Sequence, residues 1–179
     1  MIVRQYQTYY GVHFNHHEEV WAGNTYNKLL VKEYPHQDIS TTDTTDATEI
    51  SFLLPQMYMY KYYLDGVTDG WFTLYNQDGS NSATLNSFTV SLIKTQDVPS
   101  AEVVLGSKTM SLTSNNTINA SSYIKIPIFI TLDKQVVEAG NKLILRITID
   151  TTGGDVVFSH ANDSTNQDVK IKIPYAPTG

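Results

Sequence analysis

The sequence predicts an all-β fold, an antiparallel β-sandwich of jelly-roll type with an aromatic-rich N-terminal arm. Three observations predict it. Residues 123–132, 142–150 and 168–175 alternate between apolar and polar side chains, and a period of two means one buried face and one wetted face. Polar segments rich in Gly, Asn, Asp and Ser separate the apolar runs, as turns do. No window sustains a helical period, because Gly23 and Asn24 interrupt the best one, NHHEEVWAGNTYNKLLVKE at 15–33. Strands without crossover helices pack as antiparallel sheets. Connections longer than hairpin turns favour a Greek-key or jelly-roll path over a meander.

In chain order, residues 1–47 come first. They carry Tyr6, Tyr9, Tyr10, Phe14, Trp21, Tyr26 and Tyr34 outside any strand register, and they run into the polar tract ISTTDTTDAT. Large aromatics without a periodic pattern pack on something else, and Tyr and Trp anchor interfaces. The segment therefore reads as an arm that either covers its own sandwich or grips a partner. Tyr6, Tyr9, Tyr10, Phe14, Trp21 and Tyr26 are its candidate contacts, and the sandwich domain spans 48–179.

In TEISFLL, Ile50, Phe52 and Leu54 share a face before Pro55 closes the run. MYMYKYYL at 57–64 is nearly all aromatic or apolar, which suits burial on both sides or a subunit contact. DGVTDG at 65–70 reads as a turn, followed by the strand WFTLY and the turn NQDGSNS. LNSFTVSLI at 85–93 puts Phe88, Val90 and Leu92 on one face. KTQDVPSAE reads as a loop, VVLG and KTMSL as short strands around Gly106, and TSNNTINASS as a polar loop. Ile124, Ile126, Ile128, Ile130 and Leu132 then oppose Tyr123, Lys125, Pro127, Phe129 and Thr131. Leu143, Leu145, Ile147 and Ile149 oppose Lys142, Arg146, Thr148 and Asp150, and Val169, Ile171, Ile173 and Tyr175 oppose Asp168, Lys170, Lys172 and Pro174. Pro127 marks an edge or a bulge.

Composition narrows the chemistry. With no Cys in 179 residues, disulfides, thiolate metal sites and a Cys nucleophile are excluded. Net charge is −6 and the 12 Lys and Arg are scattered singly, so no nucleic-acid partner is expected. The start, MIVRQYQTYYGVHF, lacks the apolar core of a signal peptide,. No segment approaches the roughly 20 apolar residues of a membrane-spanning helix. The expectation is a soluble protein made in a cytoplasm.

His13, His16 and His17 with Glu18 and Glu19 form the most metal-like cluster, but they lack the His-Glu-x-x-His spacing and read as surface or interface residues,. Asp65, Asp69 and Asp78 read as turn residues rather than calcium ligands. No nucleophile elbow, P-loop or dinucleotide glycine pattern occurs,. Glu102, Asp133 and Glu138 supply carboxylates that no spacing pairs,. No catalytic residue, metal or cofactor is assigned, and an enzyme is not expected. Trp71, Phe72, Tyr75 and the tyrosines of 57–63 would suit either a sugar-stacking platform or core and subunit contact.

The segment YIKIPIFITLDKQVVEAGNKLILRITI and the C-terminal GGDVVFSHANDSTNQDVKIKIPY together resemble jelly-roll domains in minor structural proteins of tailed viruses of bacteria and archaea. In those domains an IPI-F type strand is followed by an EAG-D/N-K-L turn and strand. A His-containing loop then leads to a last strand ending in Pro and an aromatic. Here that His is His160, and Ala161, Asn162 and Asp163 replace the tighter loop. The resemblance covers about 85–175 and implies a virion protein assembled in the host cytoplasm. It would be a capsid decoration or cement protein, or a neck, tail or fibre component, assembled as a homo-oligomer such as a trimer. Its partners would be the major capsid protein or other virion proteins.

Overall fold

The structure, a computed structural model, describes residues 5–33, 44–160 and 167–176. Every described element is a strand or a connection between strands. The alternation at 123–132 becomes β11 (Ser122–Val137), where Ile126, Ile128, Ile130 and Leu132 are buried and Lys125, Pro127, Phe129 and Thr131 are exposed. β12 (Lys142–Thr152) and β14 (Lys170–Ala176) bury Leu143, Leu145, Ile147, Ile171 and Ile173 as expected. Burying each such side chain stabilises the fold by about 1.5–3 kcal/mol relative to exposure.

One continuous sheet folds over into two layers. The first layer contains β6 (Glu49–Leu54), β12, β8 (Ala83–Gln96) and β9 (Ala101–Ser111), neighbours in that order. The second contains β1 (Gln5–His13), β14, β7 (Tyr62–Asn76) and β11. β4 (Lys28–Val31) joins them on one side, pairing antiparallel with β1 and meeting β6 through a single parallel rung, Leu29 to Leu53. Short β5 (Thr44–Thr45), β10 (Thr117–Ile118) and β13 (Val156–Ser159) extend the ends. On the other side β9 and β11 have no further strand partner among the described residues. They press together there: a Cβ on Gly106 would stand 2.6 Å from Ile130 Cγ2. Phe52, Phe72, Phe158, Leu92 and Leu145 fill the space between the layers.

Two expectations are corrected. DGVTDG is no turn, because β7 runs through it unbroken while β11 pairs along its length. Gly66 and Gly70 carry φ of 131° and 156°, and at Gly70 the neighbouring strand passes so close that a Cβ would sit 1.9 Å from the Lys170 carbonyl oxygen. Gly70 here admits the close approach of its paired neighbour β14 rather than reversing the chain,. VVLG and KTMSL are likewise a single strand, β9, with a bulge opposite Leu92 and Ile93.

The described part of the expected arm is built into the sandwich. β1 lies between β14 and β4, so the boundary near residue 47 does not separate two bodies. β2 (Glu19–Trp21) and β3 (Asn24–Tyr26) form a hairpin over the outer face of the first layer. Its two-residue turn has Ala22 and Gly23 at positive φ, the geometry that matches strand twist. Trp21 is buried on Leu29, Leu53, Ile93 and Ile144, with its Nε1–H donating to Thr95 Oγ1 at 3.2 Å and Lys142 Nζ 4.1 Å from the ring centroid. This lid explains why Ile144 and Lys142, on the face expected to be wet, are buried. Tyr34, residues 39–43 of the polar linker and loop 161–166 lie outside the described residues.

Replacing Gly70 by Ala is expected to cost about 2–4 kcal/mol, because backbone must move. Gly140→Ala, at φ 81° with open space around it, is expected to cost about 1 kcal/mol. Urea unfolding midpoints of the two variants check the contrast.

Candidate functional site: an exposed loop beside a tyrosine cluster

Pro55 ends β6, since proline cannot continue the ladder, and residues 55–61 loop across to β7. The loop presents Met57, Met59 and Tyr60 to solvent at 56%, 87% and 82% exposure. Its base is fixed. The Gly140 N–H donates to the Tyr58 carbonyl at 3.0 Å, and the Tyr58 ring meets those of Tyr62 and Tyr175 at centroid distances of 4.8 and 6.4 Å. Tyr9 and Tyr175 join hydroxyls at 2.8 Å. Beside the loop lies a cleft of about 300 Å³ lined by Tyr6, Tyr9, Lys32, Tyr58, Tyr62 and Tyr175.

Burial pushes the Tyr9 hydroxyl up to about 12 and raises Tyr62 and Tyr175 further. These phenols are therefore neutral at physiological pH and act as hydrogen-bonding groups, not bases. Large apolar side chains held out in water on a fixed base suit docking rather than chemistry.

The six aromatics singled out in the sequence are not brought together. Tyr9 and Trp21 are buried within their own chain. Tyr6 is 48% exposed on the outer face of the second layer, with Lys172 Nζ 4.8 Å from its ring centroid. Tyr10, four residues on along β1, is half-buried. Phe14 and Tyr26 are half-buried around the hairpin lid on the other layer. Of the two readings of the arm, this placement is the one that covers its own sandwich. The exposed loop was visible only as the apolar tract 57–64, whose composition does not distinguish burial from contact.

The other candidates resolve into structural roles. Among the described residues no group of three His, Asp or Glu is placed to hold a metal ion. His17 Nε2 meets Glu19 Oε1 at 3.0 Å on the surface, while the His13 ring packs edge-on to His160 at 5.7 Å. Asp65 and Asp69 lie on β7, and Asp78 caps its own turn by accepting from the Ser80 and Asn81 amides. Arg146 grips Glu102 with two hydrogen bonds, 2.8 and 3.2 Å, and Lys94 grips Glu138 at 2.8 Å. These cations hold both carboxyls below their ordinary values. Of the residues that could have formed a sugar platform or a core contact, Phe72 is fully buried, Tyr75 stacks on Tyr123 at 4.2 Å, and Trp71 has two lysine ammoniums near its ring.

No known family model matches the sequence, and no curated protein matches it. The fold has counterparts among solved structures. An aminopeptidase from a marine sediment Thaumarchaeota archaeon aligns with a TM-score of 0.56 at 6% identity, over 97% of this chain and 37% of that one. Two structures of a CocE/NonD family hydrolase from Staphylococcus aureus align with TM-scores of 0.57 and 0.60 at 10% identity, over 97% of this chain and 36% and 37% of theirs. The chain thus spans little more than a third of these proteins, and at such identity the likeness is one of fold.

His160 is fully buried, with Nε2 2.7 Å from Thr45 Oγ1. Burial, with His13 and Lys28 nearby, lowers its pKa from 6.5 to about 4. Between those values the unfolded chain binds a proton that the folded chain refuses, so stability falls as pH drops through that window. The loss attributable to His160 is roughly 3 kcal/mol from pH 7 to pH 4. Urea midpoints measured across that range should show it, and His160→Gln should flatten the slope.

Proposed function

We propose that this protein is a non-catalytic structural component of a virus particle, a capsid-decoration sandwich that joins virion proteins and copies of itself through loop 55–61. The observation that carries the reading is the exposure of Met57, Met59 and Tyr60 on a loop pinned by Gly140 and the tyrosine cluster. Methionine adapts to irregular partner surfaces, and tyrosine supplies a rigid anchor. The viral setting comes from the resemblance over about 85–175. A neck, tail or fibre position would use the same contact. In a symmetric shell each contact repeats with every copy, so modest area per copy accumulates across the particle.

The triple variant Met57→Ser/Met59→Ser/Tyr60→Ser tests this. Because all three side chains are solvent-facing, Tm should change by only a few degrees. Light scattering on the full chain at micromolar concentration should give a trimer for the parent and a monomer for the variant. A monomer for both would remove the self-assembly part of the reading. A trimer for both would move the subunit contact away from the loop.

A further inference from the structure

A second surface lies on the outer face of the second layer. The sheet register stacks two rows of outward side chains across four strands. One row is Tyr10, Lys170, Trp71 and Pro127; the other is Thr8, Lys172, Asp69 and Phe129. Between the rows lies a cleft of about 360 Å³ lined by Thr8, Asp69, Gly70, Trp71, Phe129, Lys170 and Lys172. That volume is within the range of small-ligand pockets, about 300–1,000 Å³. Gly70 contributes no side chain, so part of the floor is bare backbone. Phe129 stands 59% exposed at one end. Lys172 stands at the other, about 10 Å away at two strand spacings.

The charges run against those of the whole molecule. In a chain of net charge −6, Lys125 and Lys170 place their ammoniums 4.3 and 4.5 Å from the Trp71 centroid, and Lys172 lies over Tyr6. Asp69 faces Lys172 across the strands. Aromatic walls, two lining ammoniums, one carboxylate and a hydroxyl are a mixed set. Single-stranded nucleic acid needs a continuous cationic track along its backbone, and here Asp69 interrupts a pair of lysines,. An acidic peptide leaves the aromatic faces unused. A pyranose bearing an acid group uses every part. Its C–H face lies on Phe129 or the Trp71 edge, its anionic group meets Lys170 and Lys172, and its hydroxyls donate to Asp69 and exchange hydrogen bonds with Thr8.

We infer that the Trp71–Phe129–Lys170–Lys172 cleft is a binding site for acidic saccharides, carboxylated or sulfated. The site shares no residue with the exposed side chains of loop 55–61, so its fate is independent of the assembly contact.

Calorimetric titration of the full chain with tetra-galacturonate, a sulfated tetrasaccharide of the heparin series, neutral cellotetraose, tetraglutamate and an eight-residue oligothymidylate tests it. One or both acidic sugars should bind, and which of them binds distinguishes a carboxylate from a sulfate preference. Binding should weaken as salt rises from 50 to 500 mM, as screened charge pairs do. Lys170→Gln/Lys172→Gln should raise Kd at least tenfold, and Phe129→Ala, at an exposed position that leaves the core intact, should raise it about tenfold, the effect of losing one stacking partner. Binding of cellotetraose as tight as that of the acidic sugars overturns the inference. So does equal or tighter binding of tetraglutamate or oligothymidylate, acidic-sugar binding that survives both variants unchanged, or no heat with any ligand.

Discussion

β7 is the strand on which the rest of the second layer depends. Along one edge it holds β11 from Tyr62 to Asn76, and along the other it holds β14 and then β13. A strand with both edges occupied and Leu64, Phe72 and Leu74 fully buried has little freedom to shift, because a one-residue slip would turn its core side chains to solvent. The passage of Lys170 over Gly70 sets how the last strand lies against it. Everything on the outer face inherits that register, including the rows that contain Trp71 and Asp69.

The first layer needs a second cover. β12 places Ile144 on its outer side, and a sheet face carrying Leu53, Ile93 and Ile144 is too apolar to leave wet. The β2–β3 hairpin closes it with Trp21. The Lys142 ammonium over the indole and the Asp97 carboxylate on the Ala22 amide hold the lid's rim. The aromatics of residues 14–26 thus act as a third, partial layer, which is why they show no strand period of their own.

The fold was legible where the sheet has one wet face. β11, the core-facing side of β12 and β14 follow alternation that water enforces. Legibility failed where another element takes water's place. Ile144 looks like a solvent-side position in β12 until the lid is known. DGVTDG carries two Asp-Gly steps that favour reversal locally, yet long-range pairing with β11 holds the chain straight. Tyr9 and Trp21 were left between a partner contact and self-coverage, because nothing local says that β1 is an interior strand or that a hairpin lies over the first layer. The surfaces were harder still. Lys125, Lys170 and Lys172 are scattered in sequence and meet only through the register, and tract 57–64 divides into exposed Met57, Met59 and Tyr60 and sheltered Tyr62 and Leu64 only once β7 is in place.

The pairing of Gln5 with Tyr175 has a consequence for biosynthesis. β1 has one neighbour made soon after it, β4, and must wait for residues 170–176 to supply the other. Until residues 170–176 have been made, Leu64, Phe72 and their partners cannot be sealed beneath a complete second layer. Sheets with so many non-local pairings fold slowly, and strands waiting with open edges invite wrong partners. A nascent chain of this design completes its second layer only after residues 170–176 have left the ribosome, and its open strand edges need shielding during that interval.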